Sequence, residues 1–179
     1  PTVEFFNRLG VDGAGIGRRE LEKGADHVRS LVKPGCLTEE DCRVDPPLPP
    51  FRGAAFPFLA SNVIPSHDAA PTFPFAIPRV GDVRVGVVAV TAPSESVPET
   101  TTRLADPFRA IDETVESLRF LGVETIVALV QSDTAHGNLD PGSCPEALTD
   151  LELVEELNPA VDALIVGASG GPATCRVFD

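Results

Sequence analysis

Two rhythms of apolar and polar positions run along this chain. The clearest helical period lies in residues 106–122, DPFRAIDETVESLRFLG, where Phe108, Ile111, Val115, Leu118 and Leu121 recur at three- and four-residue spacing. Asp106 is placed to cap this helix, Pro107 suits its first turn and Gly122 its end. A second helix is predicted over 18–33, with Leu21, Ala25, Val28, Leu31 and Val32 on one side and Pro34-Gly35 as its stop. A short helix at 2–9 ends at Gly10, and another is expected at 148–157. Strand-like runs fall at 11–17, 56–63, 73–80, 83–91, 123–130 and 161–167, with a last one at 173–178. Gly81-Asp82 separates two of them as a tight hairpin turn. The nearly continuous apolar run VGVVAV, at 85–90, suits a strand covered on both faces. Strands alternating with helices imply a layered α/β fold.

Between these runs lie Pro- and Gly-rich connections. Residues 34–55 form a Cys/Pro-rich insertion carrying PPLPP, within what reads as a single domain over 1–179. The connection after residue 130 is long enough to draw attention. Apolar residues make up 42% of the chain, which places it with globular rather than disordered proteins. The net charge of −13 argues against nucleic acid and anionic membrane surfaces as partners. No apolar run is long enough to span a bilayer. Cys36, Cys42, Cys144 and Cys175 allow three pairings, and Cys36 and Cys42 bracket CLTEEDC as a local disulfide candidate. All four sit in polar or Gly/Pro-rich stretches rather than apolar runs. That favours disulfides and an extracellular or otherwise oxidising compartment.

Five stretches, taken in order, resemble the calcineurin-like metallophosphoesterase domain of the 5′-nucleotidase family. They are LGVDGAGIGRRELEKG (9–24), FPFLASNV (56–63), VRVGVVAVTAP (83–93), and GVETIVALVQSD (122–133) with VDALIVGASGG (161–171). The resemblance implies an α/β/β/α sandwich, incomplete on its N-terminal side, with two divalent metals at strand ends that clamp a phosphate and activate water. At this chain's own positions the metal-site motifs are altered. Where the family reads Gly-Asn-His-Glu, this chain has Arg18 and Arg19, and only Glu20 matches. Where a metal-binding histidine follows the strand at 123–130, it has Gln131. Where the last motif carries two histidines, it has Ala168 and Gly170. The family's opening Asp-x-His motif has no counterpart.

Guanidinium is always protonated and has no lone pair for a metal. A unit positive charge about 4 Å from a divalent ion repels it by about 8 kcal/mol at an effective dielectric of 20. The residues therefore point to a non-catalytic domain without metal or other cofactor, a structural or protein-interaction module. Its incomplete sheet would be covered by a protein partner or an upstream segment. The alternative is a metal-dependent phosphoesterase whose altered site is completed by residues outside this chain.

Other constellations are weaker. Gly167 to Gly171 fits the G-x-S-x-G pattern, but no histidine follows it to complete a triad. Gly13, Gly15 and Gly17 miss the dinucleotide fingerprint because position 18 is arginine. His27 falls on a helix, and His67 and His136 fall in loops, with Asp133 near His136. Arg18 and Arg19 remain candidate anion ligands beside the glycine turn at 167–171. The competing expectation is that they pair with the protein's own carboxylates.

Overall fold

The computed structural model describes residues 2–35, 51–64, 72–92, 103–132 and 156–168. Its largest layer is a sheet centred on β6 (Val83–Thr91), β8 (Thr125–Ser132) and β9 (Ala163–Ala168), which run parallel in that order. Two short strands, β4 (Phe75–Ala76) and β5 (Arg79–Val80), return antiparallel along the other edge of β6. The β5–β6 hairpin closes through Gly81-Asp82 as the sequence predicts. Val80 pairs with Val83, and Gly81 takes φ +61°, a left-handed value that suits glycine.

Helix α4 (Pro107–Phe120) crosses from β6 to β8 and covers one face of this sheet. The Asp106 carboxylate accepts the Arg109 N–H, Pro107 occupies the first turn, and Gly122 follows the helix at φ +73°. Ile111, Val115 and Leu118 pack onto Val88, Val90, Ile126, Ala128 and Val130. Burying each such aliphatic side chain contributes about 1.5–3 kcal/mol. The predicted stripe is shifted at its ends. Phe108 is only half-buried and Leu121 is exposed, while Ala110 and Thr114 are buried in their place. Gly86 of β6 sits directly beneath this helix, where a methyl group would lie 2.7 Å from Leu118 Cδ1. The lead into β9 is held in register by Asp162, whose carboxylate accepts the Ile126 N–H while its own N–H donates to the Ile126 carbonyl.

A second core forms around β1 (Ala14–Gly15) and β2 (Phe58–Leu59), which pair in parallel. Helix α1 (Thr2–Leu9) ends at Gly10 as expected. The single helix predicted over 18–33 is two helices, α2 (Arg18–Glu22) and α3 (Ala25–Val32). Gly24 takes φ +84° between them, and a right-handed helix cannot pass through that conformation. The strand predicted over 56–63 is also two pieces. The chain turns at Ser61 and Asn62, and β3 (Val63–Ile64) then pairs antiparallel with β7 (Arg103–Leu104). Phe6, Phe56 and Phe58 stack edge-on within this core beside Ile16, Leu21 and Val28. The base of the 34–55 insertion is closed by the Gly35 N–H on the Phe51 carbonyl. Cys36, Cys42, Cys144 and Cys175, most of the helix expected at 148–157 and the strand expected at 173–178 lie outside the described residues. No helix among the described residues is long and apolar enough to cross a membrane.

Candidate functional site

Parallel strands present their C-terminal ends together, and in open α/β sheets that edge is where ligands bind. Here Thr91, Gln131 and Gly167 stand in one row across β6, β8 and β9. The turn that leaves β1, Ile16-Gly17, lies over this row. The Thr91 hydroxyl donates to the Ile16 carbonyl at 2.7 Å, fixing the turn against the sheet. A methyl group on Gly17 would stand 3.1 Å from Glu20 Oε2 and 3.5 Å from Gln131 Oε1. One on Gly167 would stand 3.0 Å from Gln131 Oε1. Three stretches far apart in sequence thus meet within a few ångströms, and the Gln131 carboxamide occupies the space between two glycines.

Two charged residues of the turn, Glu20 and Arg18, are engaged within α2. Glu20 accepts the Gly17 N–H at 3.2 Å, caps its own helix and is half-buried. The Arg18 guanidinium forms an ion pair with Glu22 one turn along, with Nε and Oε1 3.6 Å apart, and Arg19 is exposed. For Arg18 that pairing is the carboxylate partner expected of the two arginines. Ala168 ends β9. Gly170, Ser169, His67, Asp133 and His136 lie outside the described residues. His27 sits on α3, where partial burial and then Lys23 hold its pKa below the usual imidazole value, with Glu20 opposing them.

The donors facing this row are a carboxamide, a hydroxyl already bonded to a carbonyl, and one carboxylate that caps a helix. Among the described residues, no group of three or more His, Cys, Asp or Glu side chains converges on one point. A pair of divalent ions needs several imidazole or carboxylate donors. The residues described here do not fit that requirement.

Asn62 is the residue the sequence reading passed over. It is fully buried, and its carboxamide binds three backbone groups: it accepts the Thr91 N–H at 3.0 Å and donates to the carbonyls of Thr91 at 2.7 Å and Ala105 at 3.1 Å. This ties the end of β6, and with it the row at 91–131–167, to the turn after β2. The signal in FPFLASNV is a lone carboxamide ending an apolar run, where a buried polar group must find partners.

The Gly167–Gln131 contact is open to a double-mutant cycle. Gly167→Ala is expected to cost about 1 kcal/mol by crowding the carboxamide. In a Gln131→Ala background most of that cost should vanish, giving a coupling of roughly 0.5–1 kcal/mol in urea unfolding. Additive costs would mean the two positions are not in contact.

No family model matches the chain. Over 139 residues, 73% of the chain, it is 30% identical to 5′-nucleotidase from Bos taurus and 29% identical to 5′-nucleotidase from Homo sapiens. It spans about a fifth of the length of these relatives (21%). Among solved structures, the 5′-nucleotidase precursor from Thermus thermophilus superposes with a TM-score of 0.62 at 23% identity, over 93% of this chain and 27% of that one. A calcineurin-like phosphoesterase from Bacillus subtilis superposes with a TM-score of 0.59 at 18% identity, over 92% of this chain and 46% of that one. These two likenesses show the fold.

Proposed function

Because the chain belongs with the 5′-nucleotidase-like domains of the calcineurin-like metallophosphoesterases, we propose that it is a non-catalytic member, serving as a structural or protein-interaction module in a larger assembly. One observation carries this reading. The stretches that resemble the family's metal-site motifs approach one another through Gly17, Gln131 and Gly167, and at the motif positions the sequence holds Arg18, Arg19, Gln131, Ala168 and Gly170, with only Glu20 matching. Two divalent ions would have to displace a carboxamide, and the motif at 18–19 offers them guanidinium groups in place of ligands. Such groups supply positive charge and no lone pairs. The module packs against neighbouring polypeptide in an extracellular or otherwise oxidising setting. Its acidic surface excludes nucleic acid.

The second reading is a metal-dependent phosphoesterase whose site is completed by residues outside this chain. The sequence similarity to 5′-nucleotidases favours it. One experiment separates the two. The longest natural polypeptide that contains these residues, which would supply any completing ligands, is incubated with zinc, manganese or cobalt, desalted, analysed for bound metal and assayed for phosphate release from nucleoside monophosphates. The expected result is well under one metal ion per chain and no release above the uncatalysed background. Stoichiometric metal together with turnover, lost on Gln131→Ala, would overturn the non-catalytic reading in favour of the second.

A further inference from the structure

Positive charge gathers at the end of the sheet away from the strand-end row. Arg84 lies near the start of β6, about 23 Å from Thr91 along an extended strand. Its guanidinium donates to the carbonyl of Leu121, just past α4, at 3.1 Å. Arg79 of β5 is its register partner. The Val85 N–H donates to the Pro78 carbonyl at 3.0 Å, so 78 and 85 form a hydrogen-bonded pair. Arg79 and Arg84 are then the alternate kind of pair, in which the side chains stand closer. They share one face of the sheet, and like charges placed directly opposite destabilise it. Arg119 adds a third cation in the last turn of α4.

The ordinary use of cations here is to offset the partial negative charge of a helix end, about half a unit. Arg84 alone meets that need through Leu121. Arg79 and Arg119 are surplus to it, and among the described residues none of the three arginines forms an ion pair. Asp82, Glu116 and Glu124, their neighbours in sequence, are exposed and pair with none of them. In a chain of charge −13, three cations without carboxylate partners are thus held together. Beside them Phe120, the last residue of α4, is 91% exposed, and Leu121 is 45% exposed. An aromatic ring in solvent flanked by guanidinium groups has the composition of an interface anchor.

We propose that this corner binds an acidic segment of another protein, with carboxylates on Arg79 and Arg84 and an apolar side chain on Phe120. Guanidinium forks match carboxylates in bidentate pairs, and a carboxylate between the two arginines relieves their repulsion. Charge also selects the kind of partner. A membrane surface or a nucleic acid would extend past the corner and meet the repulsion of an acidic body, and a second copy of charge −13 would meet the same. A short segment touches the corner alone, within the distance over which its charge is felt. The inference rests on the interaction-module reading and gives that module a partner of stated chemistry.

Fluorescence anisotropy tests it, with the longest natural polypeptide that contains these residues and a short labelled peptide of aspartate and glutamate around a leucine–phenylalanine pair. Saturable binding is expected at low salt, weakening as salt is raised. Arg79→Gln combined with Arg84→Gln should weaken it by about ten-fold. Phe120→Ser should weaken it several-fold, and Arg8→Gln, at an exposed position of α1, should leave it unchanged. Bound peptide should slow phenylglyoxal modification of Arg79 several-fold, read by mass spectrometry. Arg79→Gln alone should hold or raise the urea midpoint, since it removes one of two opposed charges. No saturable binding, binding that survives the double substitution, or a midpoint lowered by Arg79→Gln would each overturn the proposal. So would tighter binding to phosphatidylserine vesicles than to the peptide, a dimer that dissociates on Arg79→Gln, or Arg79 already protected in the free monomer. Peptide binding and metal-dependent phosphate release are read separately, so either reading can fail without the other.

Discussion

Asn62→Ala should lower the stability of the domain by about 3 kcal/mol, seen as a fall in the urea midpoint with an unchanged slope. The carboxamide lies among groups shut off from water, and its removal leaves the Thr91 N–H and the carbonyls of Thr91 and Ala105 without it. Each buried polar group left unsatisfied costs about 1–3 kcal/mol, and partial entry of water recovers some of that. Asn62→Asp keeps an acceptor for the Thr91 N–H but removes both donors and buries a charge, so it should cost at least as much. A loss under about 1 kcal/mol for either variant would show that the turn at 61–62 is not anchored as described.

Gly53→Ala is expected to destabilise by about 2–4 kcal/mol, combining left-handed backbone strain with steric overlap. Gly53 takes φ +80°, and an added methyl group would press directly on the Val32 carbonyl, with the Val32 carbonyl carbon at 2.8 Å. That neighbour is backbone at the end of α3 and cannot turn aside. The segment cannot retreat either. Asn7 donates to the Gly53 carbonyl and accepts the Ala55 N–H, while the Ala54 N–H donates to the Leu31 carbonyl. Gly10→Ala is the control, since its φ of +69° carries the same strain while nothing lies within 4 Å of the new methyl group. Its cost should stay near 1–2 kcal/mol. Equal losses at the two positions would mean that the overlap at Gly53 relaxes away.

Local signals explain how far the fold could be read from sequence. Helix α4 was legible because its cap, first-turn proline, apolar period and terminal glycine agree. The hairpin at Gly81-Asp82 was legible for the same reason. The break at Gly24 was not, since a glycine inside a helical pattern is tolerated as often as it interrupts one, and only the backbone angle decides. Nor was the turn at Ser61-Asn62, because apolar residues flank it on both sides and hide it within one strand-like run.

The site divides in the same way. Local pattern says nothing about Gly17, Gln131 and Gly167 meeting. Only the family resemblance brought their stretches together, and strand register then placed two of them in one row. Asn62 was missed because a single carboxamide in an apolar run has no periodic signature. Its partners are backbone groups that sequence does not distinguish.

The existence of two cores has a consequence for motion. The β6–α4–β8 unit is a parallel strand–helix–strand crossover built from residues near in sequence. The Ile16–Phe58 core is joined to it through a seam that includes the Asn62 clasp, the Thr91 hydroxyl on Ile16, the Ser61 N–H on the Ala89 carbonyl, and the pairing of Phe73 with Phe58 and Ala60. Partial opening follows such seams. Native-state hydrogen exchange should therefore proceed in two tiers, with the amides of α1 to α3 freed by a sub-global unlatching while those of β8 wait for complete unfolding. A module of that kind can loosen one half as it meets its neighbours and keep the other as a rigid footing.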